Sequence, residues 1–570
     1  MQKGLFGRFA TNILNIQKTF SRREWIVYYI AVSVLIISTI SLVFTLNHKS
    51  KVAIPYRGGS YTEGIIGTPR FINPVLALTD ADRDLIALIY SGLMRRTPEG
   101  MLIPDLAESY EISEDGKTYT FVIREDAEFH DGRNVTSHDI SYTVSMIQNP
   151  DVKSPKRVAW EGVSVETPDD RTVIFKLKEA YGAFLETATV GILPSHLLEG
   201  VTTEQFNFID LNIQPVGSGP YKINKVKKND SGVPVSYDLI GYKKNTLGEP
   251  YIKKFYVRFF ANEGEVASAL KNKTLDGAGS LSPDTVSENK FDTTIPFGLP
   301  RLFALFLNQN EQPIFREQAV VEALGKALDR HRIINHALYG LATPAYTPVP
   351  QVLSGGEFIE ATEEEQTPNL EEASKILENA GWKKNSEGIW EKKKVGTLTF
   401  SIATSDTPEL TRAVDEIKTQ IENFGGQVHI LVSNVGTLNQ EVIRPRKFDA
   451  VFFGQVVADQ SDLFGFWHSS QRTDPGVNIT GYANQKIDTI LEKLLIAKSY
   501  EDQETLIKNF VGTIQKDIPA IFVYSPQYLY VENKKVFNRT FNIRANNADR
   551  FQNVHNWYVE TQNVWPLFTR

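Results

Sequence analysis

The sequence predicts a mixed α/β (α+β) protein of more than one lobe, preceded by a single membrane-spanning helix. Three observations predict it. The chain has 570 residues, more than one hydrophobic core usually serves. Trp25 to Leu46 is a run of 22 residues without a charge. Beyond residue 60, short alternating segments bounded by turn residues interleave with capped apolar-periodic segments, without strict strand–helix–strand alternation. The 41% apolar and 11% aromatic content is that of a globular chain.

As a helix rising about 1.5 Å per residue, residues 25–46 cover a bilayer core of about 30 Å. A secretory h-region is usually about 7 to 15 residues long and precedes a small-residue cleavage site. Ser41 to Asn47 offers no such pattern, so an uncleaved anchor is expected. Lys3, Arg8, Lys18, Arg22 and Arg23 precede the run, and Lys49 and Lys51 follow it, which predicts a cytoplasmic N-terminus and an extracytoplasmic large domain. Within residues 1–24, Phe6, Phe9, Ile13, Ile16 and Phe20 share one helical face, as in a segment lying on the inner leaflet. Residues 47–60, with Pro55, Gly58 and Gly59, read as a linker. Six Lys/Arg and one Glu among the first fifty residues leave 55 basic and 67 acidic residues beyond, a balance of −12. Such a surface does not suit nucleic acid or anionic lipid. The absence of cysteine excludes disulfides, thiolate metal sites, a cysteine nucleophile and a lipid-modified cysteine.

The elements follow in order. Tyr110–Ser113 and Lys117–Ile123 alternate like strands around the turn residues Glu114, Asp115 and Gly116. Phe129 to Gly132 form a second turn, and Thr136 with Asp139 makes a capping box before Ile140, Val144 and Ile147. Val163–Val165 and Thr172–Leu177 form another strand pair, with further strands at Ser236–Ile240 and Lys254–Phe260. Asn369 caps a helix with Glu372 at its third position, Ala373, Ile376 and Leu377 face inward, and Gly381 ends it. Ile487, Ile490, Leu491, Leu494 and Leu495 make a core stripe on a later helix.

One stretch of this pattern, LAESYEISEDGKTYTFVIREDAEFHDGRNVTSHDISYTV from Leu106 to Val144, resembles the signature of family 5 solute-binding proteins. These are the peptide-, oligopeptide- and nickel-binding components of ABC importers. Later stretches match in the expected order: VGSGPY at Val216–Tyr221, EALGKALDRHRIINHALYGLATPAYTPVP from Glu322, NLEEASKILENAGW from Asn369, and NITGYANQKIDTILEKL from Asn478. The resemblance implies a two-lobed, periplasmic-binding-protein-like clamshell with a discontinuous first lobe. Lobe I with an inserted subdomain would span 61–300, lobe II 301–519, and a C-terminal return to lobe I 520–570, with crossings near Pro300 and Pro519–Tyr524. It implies a monomer that closes on a peptide or other small solute, without cofactor or catalysis, and delivers it to an ABC transporter permease.

The resemblance also suggests where ligand is met. FDAVFFGQVVADQSDLFGFWHSSQ, from Phe448, resembles the family stretch whose aspartate meets a peptide's terminal amine; that acid is Asp459 or Asp462, and Gln455 stands where many relatives have Trp. Trp467, Tyr524 and Tyr346 are candidates to flank the cleft. Thr79 and Asp80 lie near where the family pairs an early strand with ligand backbone.

Other chemistries find less support. His130 and His138 each precede an Asp, but they sit in a turn and in a first helical turn, and no metal role is assigned. Asp80, Asp82 and Asp84 imitate an EF-hand start, yet positions six and twelve are Leu85 and Ser91. Val216 replaces the first glycine that a hydrolase elbow around Ser218 would need, and neither H-E-x-x-H nor a P-loop occurs. The alternatives are an anchored hydrolase of peptides or cell-wall fragments, and an extracytoplasmic sensor or chaperone using the same cleft.

Overall fold

The computed structural model describes residues 21–49, 51–180, 184–350, 367–458, 460–497, 500–541, 543 and 546–565. The apolar face from Phe6 to Phe20 lies outside them. Two compact units are formed, one from residues 1–57 with 560–570, the other from 58–559.

In the first unit a 28-residue helix spans Arg22–Lys49. Its stretch Arg22–Phe44, of mean hydropathy 2.4, buries nothing inside the protein and is long and apolar enough to cross a membrane. Trp25, Tyr28 and Tyr29 cluster at its start with ring centroids 5.4–5.8 Å apart, where aromatic side chains favour a headgroup layer. Strand β1 (Val52–Tyr56) pairs antiparallel with the C-terminal strand Glu560–Val564, Val52 opposite Val564. The expected linker at 47–60 is therefore corrected: it is helix to Lys49 and strand from Val52. A two-stranded ribbon tolerates Pro55, which lacks an N–H, at its edge.

The second unit opens with β2 (Gly58–Ile66) and a small hairpin of β3 (Met94–Arg96) and β4 (Leu102–Pro104). Strands β5 (Ala107–Ile112) and β6 (Thr118–Ile123) form the expected hairpin and join β7 (Ser164–Glu166) and β8 (Thr172–Lys176) in an antiparallel sheet of order β5-β6-β8-β7. The capping box is present: Asp139 Oδ2 accepts the Thr136 N–H at 2.8 Å, starting the helix Ser137–Gln148. Next come β9 (Tyr221–Lys228), β10 (Pro234–Gly241), β11 (Ile252–Phe260), β12 (Gly277–Leu281), β13 (Thr294–Gly298), β14 (Arg301–Leu307) and β15 (Ala342–Pro344). Short strands β16 (Lys383–Lys384), β17 (Trp390–Lys392) and β18 (Gly396–Thr397) make a separate sheet, followed by β19 (Thr399–Ser405), β20 (Gln427–Ser433), β21 (Ala450–Val456) and β22 (Ala520–Glu532).

A twelve-stranded sheet runs β20-β19-β21-β14-β22-β12-β2-β11-β10-β9, with β13 and β15 also paired to β22. Two main bodies of core grow on it. One draws on residues from Tyr61 to Val257 and again on Val536, Phe551, Val554 and Trp557. The other, in two clusters, runs from Leu302 to Tyr524. The chain passes between them twice, at Gly298–Arg301 and at Tyr524–Gln527. There β22 exchanges its pairing, from Phe303 opposite Tyr524 to Gly298 opposite Gln527. The Ser525 hydroxyl lies 3.1 Å from the Leu299 carbonyl and 2.7 Å from that of Arg301, stitching the two passages together. A second tie joins the bodies: Asp284, at the start of the helix Pro283–Asn289, pairs with Arg412 at 3.0 Å and accepts the Tyr339 hydroxyl at 2.8 Å.

The first body is organised around a buried ion network. Arg550 donates both Nη groups to Asp84 at 2.6 Å, its Nε to Glu63 at 3.0 Å, and Nη1 also to the Asn547 carbonyl at 2.8 Å. Tyr530 donates to Glu63 and shares a contact with the Tyr61 hydroxyl at 2.9 Å. Arg539 pairs with Glu532 nearby. Three carboxylates against two guanidiniums leave one negative charge in excess. Burial pushes Glu63 up to about 7, against the pull of Arg550.

The two sequence motifs around His130 and Gly217 meet each other. His130 Nε2 lies 2.9 Å from the Gly219 carbonyl, and the Gly217 N–H donates to Nδ1 at 3.3 Å. One ring nitrogen must donate and the other accept, so the imidazole is neutral, and burial holds its pKa down at about 4. Gly217 and Gly219 run against the end of the helix Asp80–Ile89. A β-carbon at 217 would stand 2.0 Å from the Ile89 carbonyl oxygen.

Gly217→Ala should therefore cost several kcal/mol, read as a lowered denaturation midpoint of the full chain, because backbone must move on one side of that contact. A wild-type midpoint would show that the loop is not pinned there. For Glu63, the folded state keeps a proton between about pH 4.5 and 7 that the unfolded chain releases, so this group's contribution to stability falls as pH rises through that window. His130 and His555, both held near 4, act in the opposite sense. The clean reading is thus a difference. Glu63→Gln should match the wild type near pH 5 and become the more stable of the two, by about 1–3 kcal/mol, near pH 8. Parallel midpoint-versus-pH curves would contradict this.

Candidate ligand-binding site

A cavity of about 450 Å³ opens in the first body, a size within the usual range for small-molecule sites. Separated segments line it, among them the helix Asp80–Ile89 and the turn after it, β3, the turn at Pro155–Lys156, Thr189–Gly191, and residues 546–555. Arg550 fixes the last of these segments to the helix and to β2, so the buried ion network also sets the shape of this wall.

The lining is amphipathic. Pro74, Ala77, Ile86, Ala87 and Val190 supply apolar surface, and Arg83, Arg95 and Lys156 supply positive charge. Arg83 is partly compensated by Asp80 at 2.8 Å. Arg95 is half-buried, and its Nε is buried with no hydrogen-bond partner among the described residues. Burial lowers the Arg95 pKa, against the pull of Asp105 and Glu99. Lys156 stands exposed at the rim; desolvation by the surrounding walls, then Arg83, hold its pKa below the usual lysine value. His555 is pushed down to about 4 by burial and then by Arg95, and so is neutral at pH 7. Asp105 is buried, which raises its pKa, and accepts the Thr246 hydroxyl at 2.6 Å. Glu186 is paired with Arg96.

Two residues expected at the site, Thr79 and Asp80, begin the helix that walls this cavity but are not part of its lining. Thr79 caps the helix, accepting the Asp82 N–H at 3.1 Å. Asp80 is exposed, and besides Arg83 it accepts from Asn547 at 3.1 Å, which also reaches the Ser280 hydroxyl at 2.8 Å. The other candidates sit on the second body. Gln455 is buried in β21 opposite Leu302 of β14. Asp462, in the first turn of the helix Gln460–Trp467, accepts the Ala458 N–H at 2.7 Å and so shapes the loop before it. Asp459 lies outside the described residues. Tyr346 is covered by the Arg330 guanidinium, 4.4 Å from its ring centroid.

Trp467 and Tyr524 depart from the cleft-wall expectation. Both are 1% exposed, Trp467 packed at 6.0 Å from Phe522 and Tyr524 stacked at 5.0 Å on Phe303. Their apolar area is spent inside the cores, which leaves them packing roles in this arrangement. The cations of the cavity were missed by sequence reasoning because segments far apart in the chain build it. The one local signal was Arg95, a charge set directly after the buried run Tyr90–Met94. Among the described residues, no group of three or more His, Asp or Glu is placed to hold a metal.

Comparison with known proteins gives this geometry its context. The chain is 27% identical over 492 residues to the oligopeptide-binding protein AppA of Bacillus subtilis, covering 84% of this chain and 88% of that protein. Its fold matches NikZ from Campylobacter jejuni, solved in complex with Ni(L-His), at a TM-score of 0.63 and 25% identity over 89% of this chain and all of that one. It also matches AppA from Bacillus subtilis, solved in complex with a nonapeptide, at 0.61 and 23% identity over 89% of this chain and all of that one. The family model for bacterial extracellular solute-binding proteins, family 5, matches residues 101–476, more than half of the sequence, and the chain belongs to that family.

Proposed function

We propose that this protein is a membrane-anchored extracytoplasmic receptor that takes a peptide between its two lobes and hands it, chemically unchanged, to an ABC transporter permease. The observation that carries the reading is the pairing of a family 5 fold with an amphipathic cavity walled by the helix that Thr79 caps. The curated relative named above binds oligopeptides, by its name. The double passage at Gly298–Arg301 and Tyr524–Gln527 supplies the mechanics. Two strands carry all of the bending, and a ligand that touches both lobes gains differential affinity for the closed state. Asp462, together with Asp459 and Gln455 near it in the sequence, is proposed to meet ligand from the second lobe. The apolar helix Arg22–Lys49 is proposed as the anchor that keeps this receptor at the outer face of the membrane.

The full chain, held in nanodiscs, should melt at a higher temperature in the presence of a mixture of peptides of two to five residues. Ligand at a hundred times its Kd adds about 2.7 kcal/mol to the folded state. Mass spectrometry of the bound fraction should return intact peptides. Cleaved products would favour the hydrolase reading, and a melting curve unmoved by peptides and by nickel–histidine would remove the transport reading. For the anchor, protein from the membrane fraction should keep residues 1–50 by intact mass, and protease added outside should digest the large domain while sparing the N-terminus. Loss of those fifty residues would identify the helix as a cleaved signal.

A further inference from the structure

Two of the cations lining the cavity in the first lobe, Arg95 and Lys156, lack an ion-pair partner of their own among the described residues. Asp105 accepts the Thr246 hydroxyl and acts on Arg95 only through space, Glu186 pairs with Arg96, and Asp549 accepts the Asn546 N–H at 3.2 Å as the capping acid of its turn. Asp80 answers Arg83. The side chains of Arg95 and Lys156 have no hydrogen-bond or ion-pair partner among the described residues, and the remaining acid that acts on Arg95, Glu99, is exposed on the β3–β4 turn. A guanidinium with a buried, unmatched Nε is costly to keep, and a planar carboxylate is the group its fork geometry fits. The lining also offers apolar surface from Pro74, Ala77, Ile86, Ala87 and Val190, so the site suits an anion carried on a short apolar stem.

We infer that the first-lobe cavity is an anion-selecting subsite, in which Arg95, helped from the rim by Lys156, receives a carboxylate such as the acidic side chain of a bound peptide. The inference rests on the reading that solute enters this cavity, and it goes beyond that reading by naming the ligand's charge class. His555, neutral because it is buried and then because Arg95 is near, leaves the guanidinium as the positive group at that wall.

The test is isothermal titration of the full chain in zwitterionic nanodiscs with two tripeptides differing only in the middle residue, Ala-Glu-Ala and Ala-Gln-Ala, with glutarate and inorganic phosphate as further probes. The wild type should bind the Glu peptide at least tenfold more tightly than its Gln isostere, and added salt should narrow the gap. Arg95→Met should bring the two peptides within twofold of each other. Lys156→Met, at an exposed position that folding does not need, should cut the ratio by at least threefold. Equal binding of the two peptides by the wild type would overturn the inference and leave peptide capture standing. A preference that survives both substitutions would overturn it as well, since some other group would then be reading the charge. Phosphate bound through Arg95 without any preference for the Glu peptide would replace the carboxylate class by a bare anion. Failure of both tripeptides and of glutarate to bind would bring down the inference and the proposed function together.

Discussion

Arg550 is the residue on which the first lobe turns. It belongs to the last fifty residues of the second unit, yet its three nitrogens are spent on Glu63 of the opening strand and Asp84 of the first helix after it. A guanidinium this deeply buried persists only because every arm is matched, and the arms point in directions that only this arrangement of strand, helix and turn supplies. The cavity inherits its shape from that constraint. The helix bearing Arg83 and the turn bearing Asn546 to Gln552 are two of its walls, and the same ion network holds both.

The second organising fact is that the two bodies share one sheet. β14 and β22 are the members through which it runs from one body to the other, and Ser525 ties their passages together at Leu299 and Arg301. The Asp284–Arg412–Tyr339 contact adds a polar bridge between the helix Pro283–Asn289 and the second core. Both partners are part-exposed, so the bridge contributes specificity of position more than stability.

Much of this was legible in the sequence, and the boundary of legibility has a physical cause. Hairpins, capping boxes and apolar stripes are local: Gly116, the Thr136–Asp139 pair and Asn369 with Glu372 announce their turns and helix starts within a few residues, and the structure has them there. The partnership of His130 with Gly217 and Gly219 was not announced, although both motifs were noticed, because nothing in either segment says that they touch. The same holds for the cavity. Its cations come from segments with no common pattern, whereas the acidic run near residue 460 was conspicuous because its spacing resembles relatives. The supposed linker failed for a related reason. Pro55 looks like a breaker until its partner strand, far along the chain at Thr561, is known, and Gly58 until its pairing with Ile252 is.

That partner strand has a consequence for how the molecule is made. β1 precedes the whole of residues 58–559 in the chain, and the backbone groups it must satisfy are supplied by Glu560–Val564, which follows them. The ribbon therefore waits, half-paired, while the second unit is made, and it is zipped shut only once that later strand has followed.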